Sequence, residues 1–399
     1  MKGKKQLMND PNQETIDSFY AGIDVIKCTD PVAEMLFDVI TAILVTLDNN
    51  RGKLFFHVFR SDNGRIWSYI PKNNGAYSIL WDINQWELFD CFLDAIISES
   101  VFNHVVPPCV PEVQCDRLIK KMMYHTINYL YEKRKNNTLF HDFLQENKDI
   151  LTPYSCVQNN FSEVVTQIKQ ELTLYAKMFV LLHEFEHILT CLCPEIHDND
   201  LHGLLDQLLI KQIELTQDCQ HVRGLPIQEY HANLKHLINP SNENWVKRKE
   251  EIYGDLHAFT EMIAVEKHNL SIKDYMENIP FMILSVKLYN MFRTFISIPD
   301  FLLDQFQQES RNGITHDELN KNMQEFEQRE IELRQVTLYD LTMMYYEYYN
   351  KDVITESRRI FTGFIVSSFI STYRSTMQPL IIALQNAIHN YYYIKEGSK

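Results

Sequence analysis

Met178-Phe179-Val180-Leu181-Leu182-His183-Glu184-Phe185-Glu186-His187-Ile188-Leu189 is the stretch on which the reading of this chain turns. Apolar residues crowd a small polar patch. At about 100° per residue, Leu172, Ala176, Phe179 and Val180 fall on the same side of a helix as His183 and His187. A solvated stripe would continue toward the N-terminus as polar residues. Here the patch interrupts an apolar surface, and burying it is costly unless its members are paired or bind a metal. His183 and His187 are spaced i, i+4 on one helix face, so two imidazole nitrogens can reach one ion. Glu184, beside the first histidine, points toward the ion's open position. There it can take a proton from a bound water.

Such a site needs a third protein ligand. Downstream lies Glu251-Ile252-Tyr253-Gly254-Asp255-Leu256-His257-Ala258. Read as a helix, it has an apolar seam at Ile252, Leu256, Phe259 and Ile263. Glu251, Gly254, Asp255 and Ala258 share a neighbouring face. The two small residues let this helix approach the first closely. Glu251 is then placed to ligate the metal, and Asp255, one turn on, to hold a ligand imidazole by its second nitrogen.

HExxH followed downstream by ExxxD resembles the gluzincin class of zinc metallopeptidases. The resemblance covers two helices, about residues 175–265. It implies Zn2+ bound by His183, His187 and Glu251, with Glu184 as general base and Asp255 as the supporting carboxylate. It also implies a zincin-like active-site helix within a multi-helix domain, and a peptide or protein substrate. In outline the chain is similar to the phage-exclusion proteases. One departure is Glu186, where the family usually has an uncharged residue. A carboxylate there raises zinc affinity, binds a basic substrate group, or marks a degenerate site.

The rest of the chain frames this pair of helices. With 399 residues and 45% hydrophobic content it can bury a large core. Its 11 glycines and 13 prolines are few for this length, which favours long helices. The expected fold is mainly α with a small N-terminal β element (α+β). Asp30 and Pro31 mark a helix start, running over 31–47. Strands at 53–60 and 65–70 flank the turn signal Ser61-Asp62-Asn63-Gly64, giving a hairpin. A third strand is expected at 76–81 and a helix at 86–98. Pro107, Pro108 and Pro111 break the pattern and divide an N-terminal region, 1–110, from a helical domain, 111–399. Further helices are expected at 115–133, 139–146, 162–191, 200–219, 242–268, 272–298, 316–349 and beyond 355.

The net charge of −15 argues against a phosphate-backbone partner, so no nucleic acid is expected. The eight cysteines contain no CxxC pair, which suggests neither a disulfide framework nor a zinc ribbon. The N-terminus lacks the apolar segment of a secretory signal, and no run reaches the length needed to span a bilayer. These features lead us to expect a cytoplasmic protein without membrane insertion. A di-iron bundle would need a second ExxH, and the chain has none besides Glu184–His187. His197, His202, His221, His231 and His257 are candidate transition-state stabilisers, each more simply read as a surface or satisfied core histidine. Tyr345, Tyr346, Tyr348 and Tyr349 suit a core or interface more than a substrate groove. Zinc-dependent peptide hydrolysis is therefore the expected activity. The rival is a helical interaction or regulatory protein with a structural or degenerate metal site.

Overall fold

Asp30 and Pro31 start the first helix, as the sequence indicates. Asp30 Oδ1 accepts a hydrogen bond from the Ala33 N–H at 3.1 Å, and Glu34 Oε1 accepts one from the Asp30 N–H at 3.2 Å. This reciprocal arrangement satisfies donors that a helix start otherwise leaves orphaned. The helix, α1, spans Pro31–Val45 and buries Ala33, Leu36 and Ile40. The computed structural model describes residues 25–45, 54–61, 77–99, 163–192, 199–222, 225–269, 278, 281–286, 288–290 and 292–293.

Around α1 lies a three-stranded sheet of β1 (Val25–Lys27), β2 (Leu54–Ser61) and β3 (Tyr77–Asp82), in that order. β1 runs antiparallel to β2, with Ile26 opposite Arg60. β3 runs parallel to β2, with Leu54 opposite Tyr77 and Phe59 opposite Asp82. Two of the expected strands are therefore present, shifted by one residue. The second arm of the expected hairpin lies outside the described residues. β1 has no counterpart in the sequence reading, because three residues are too few for alternation to show. Every residue of β3 is buried, as befits a strand covered on both faces. It continues directly into α2 (Ile83–Glu99).

The remaining elements are α3 (Glu163–Leu192), α4 (Asn199–Leu215), a two-strand turn of β4 (His221–Val222) and β5 (Leu225–Pro226), α5 (Ile227–Ile238) and α6 (Glu243–Asn269). The described parts of 278–293 are also helical. The described structure is thus mostly helical with a small sheet near the N-terminus. None of its helices is long and apolar enough to cross a membrane. The proline-rich boundary at 107–111 and the helices expected at 115–133, 139–146, 316–349 and beyond 355 lie outside the described residues.

Two layers hold α3 in place. On one side Phe37 of α1 stacks on Phe56 of β2 at 4.7 Å and on Phe185 of α3 at 5.6 Å. Below that stack, Lys177 Nζ of α3 lies 2.6 Å from Asp30 Oδ2, which also accepts from the Trp81 indole at 3.0 Å. Burial pushes the Asp30 carboxyl up. The Lys177 hydrogen bond and charge, with the Ala33 and Trp81 donors, outweigh it and leave Asp30 below the usual carboxylate range. On its other side α3 packs along α6. α6 is backed in turn by α4 and α5 through a core including Leu205, Leu209, Tyr230, Leu234, Ile252 and Leu256. Lys249 ties these together: its Nζ reaches Asp206 of α4 at 2.7 Å and the Ile238 carbonyl at the end of α5 at 3.3 Å.

Candidate metal centre

α3 and α6 run antiparallel, so residues advancing along one meet residues receding along the other. His187 stands opposite Glu251, and His183 opposite Asp255. The faces that meet are those the periodicity indicates. Leu172, Ala176, Phe179 and Val180 are buried on α3, as are Gly254, Asp255 and Ala258 on α6. The close approach depends on Gly254. A methyl group there would lie 3.2 Å from both Cε1 and Nδ1 of His183, tighter than an ordinary van der Waals contact.

Three donors converge across this interface. His183 Nε2 and His187 Nε2 are 3.0 Å apart. Glu251 brings Oε2 to 3.6 Å from the first and Oε1 to 3.5 Å from the second. One donor atom from each residue lies within 4.8 Å of the others, which is close enough for all three to hold one metal ion. A tetrahedral ion with ligands at about 2.0–2.2 Å sets them roughly 3.3–3.6 Å apart. The two imidazoles stand slightly inside that range and the nearest Glu251 oxygen to each lies at its upper end, so small side-chain shifts let the residues fit the ion. Two imidazoles and one carboxylate also leave a coordination position for a small ligand.

Asp255 supports this triangle from behind. Its carboxylate is fully buried, and Oδ1 lies 3.0 Å from His183 Nδ1. A buried carboxylate needs a partner. With the His183 proton on Nδ1, facing that carboxylate, Nε2 keeps its lone pair for the metal side. Burial falls off across the site. The His183 side chain is 5% exposed, His187 32% and Glu251 42%. The centre therefore opens on the side of His187 and Glu251. Glu184 follows His183 in α3 and is half-buried.

Glu186 is resolved differently from any reading that gives it a substrate group. It is buried at 4%, and its Oε2 lies 3.0 Å from His257 Nδ1 on α6. Thr190 Oγ1 lies 3.3 Å from its Oε1 while donating to its backbone carbonyl at 2.9 Å. The sequence could not reveal this pair, because its members are far apart in the chain and share no local spacing. His257 stacks with Tyr253, which lies almost parallel to His202 of α4 at 3.6 Å. His231 Nε2 is 2.9 Å from Thr216 Oγ1. These three histidines are thus engaged with neighbouring side chains. His221 is exposed, and His197 and the tyrosines of 345–349 lie outside the described residues.

Farther along the same interface Tyr175 and Glu266 form a polar end. Burial, followed by the charges of Glu266 and Glu171, raises the Tyr175 hydroxyl above its ordinary range. Burial also raises the Glu266 carboxyl. No protein-family model, curated protein or solved structure matches the chain.

Proposed function

We propose that this protein is a zinc-dependent endopeptidase. The observation that carries the reading is the donor triangle of His183, His187 and Glu251, with Asp255 behind His183. His183, His187 and Glu251 would hold the zinc. Bound there, it would supply a Lewis acid and lower the pKa of a coordinated water. The chain's own residues do the rest. Asp255 fixes the His183 tautomer. Glu184 accepts the proton of the attacking water on its carboxylate and returns it to the departing amine. The partly exposed His187 and Glu251 border the side from which a peptide would approach.

The test pairs metal analysis with a search for cleaved proteins. Wild-type chain should carry about one zinc, lost in His183→Ala and in Glu251→Ala. Glu184→Gln should keep the zinc. Cells making wild-type protein should then accumulate new protein N-termini that are absent from cells making Glu184→Gln. Identical N-termini in both would refute the peptidase reading and leave a metal-holding interaction protein. A wild type that neither carries nor takes up zinc would refute the zinc centre itself.

A further inference from the structure

The two histidine ligands share α3, so their mutual geometry is set by one helix. Glu251 alone comes from α6, and its place depends on how α6 sits against α3. The Asp255–His183 contact fixes one point of that interface. Apolar packing brings α6 against α3 and its backing helices, but it is non-directional, and one polar contact fixes the roll at a single point only. The second contact crosses in the opposite sense: a carboxylate of α3, Glu186, meets a histidine of α6, His257, at 3.0 Å. Asp255 and His257 are two positions apart, about 200° around their helix. The two contacts therefore grip α6 from different sides.

We propose that Glu186 and His257 are a positioning pair that holds α6 in register and roll on α3, and so sets the Glu251 carboxylate against the two imidazoles. The proposal rests on the metal-centre reading. Three observations support it. Glu186 is nearly inaccessible, with its side chain 5% exposed, so it is available neither to solvent nor to substrate. It immediately precedes the ligand His187, so a displacement of one is felt by the other. His257 is backed by Tyr253, which rests flat on His202, so the ring that receives Glu186 is itself held. Glu186 is thus a positioning residue and takes no part in proton transfer.

A double-mutant cycle on cobalt(II) affinity tests this in the full chain. Titrations would be run well below the melting midpoint, with circular dichroism confirming that each variant is folded. Glu186→Ala and His257→Ala should each weaken cobalt binding about 10–100-fold, the range typical of groups that support metal ligands. Combining them should cost little more than either alone, because the two act as one unit. Glu186→Gln keeps an acceptor for the His257 ring and should recover most of the affinity. The visible cobalt spectrum should shift in the alanine variants and return in Glu186→Gln. Alanine variants that melt earlier but bind cobalt with wild-type affinity and spectrum would overturn the proposal, leaving a pair that only stabilises the fold. Additive losses would overturn it as well. A wild type that binds no cobalt and no zinc would instead remove the metal centre, a failure distinct from the others.

Discussion

Gly254 shows how one absent side chain shapes the site. A β-carbon there would press on the His183 ring at 3.2 Å, so the ring or the helix must yield by a few tenths of an ångström. Alanine is otherwise favoured over glycine inside a helix by about 0.8–1 kcal/mol. Gly254→Ala should therefore separate two properties that usually move together. Metal affinity should fall about tenfold, while the thermal midpoint of the metal-free chain stays level or rises. Calorimetry with and without zinc would measure both, and unchanged affinity would show that the ring has room to spare. The need for a small residue at this position was legible in the sequence, because Gly254 and Ala258 share a face with Glu251 and Asp255. The spacing of His183 and His187 was legible for the same reason, since i and i+4 meet within one helix whatever the fold. The Glu186–His257 pair was not legible, because it exists only once two helices have been set side by side.

At the scale of elements, Asp30 does two jobs. It caps α1 through Oδ1 and anchors α3 through Oδ2, where Lys177 and the Trp81 indole converge. Its carboxyl titrates below the ordinary range, so the unfolded chain binds this proton more readily than the folded one. The resulting stabilisation is fully present above the unfolded value near 3.8 and is lost as pH falls through the lower folded value. Asp30→Asn keeps a capping oxygen but loses the charge. Its deficit against wild type should be constant from neutral pH to about 5, and should close in stronger acid. Denaturant melts across that window would show it. A deficit that persists unchanged to the lowest pH would place the loss in packing instead. Lys177→Met takes the counter-charge from the buried carboxylate and leaves it only the Ala33 and Trp81 donors, at a cost of about 3 kcal/mol at neutral pH. The start of α1 was readable from Asp30-Pro31, and the bounds of α3 and α6 fell within a residue of expectation. α5 was overlooked. Its buried residues Ile227, Tyr230, Leu234 and Leu237 keep helical spacing, but Pro226 offers no side-chain cap and the helix is only 12 residues long. Periodicity without a start signal is easily lost between longer neighbours.

At the scale of the molecule, α3 is the element on which the two layers of the described residues meet. The sheet and α1 cover one side through Phe37 and Asp30, and α6 with its backing helices covers the other. A metal ion bound between α3 and α6 would join segments remote in sequence, and binding only the folded state stabilises it by mass action. Zinc at a hundred times its Kd should contribute about 2.7 kcal/mol. Its addition should raise the melting midpoint, a chelator should lower it, and His183→Ala should respond to neither. The exposure gradient across the three donors has a kinetic consequence. An incoming chelator meets Glu251 first, then His187, with His183 shielded until the end. Metal exchange would then proceed associatively, one donor replaced at a time from the outside inward. The lifetime of a bound ion would thereby be uncoupled from the lifetime of the fold around it.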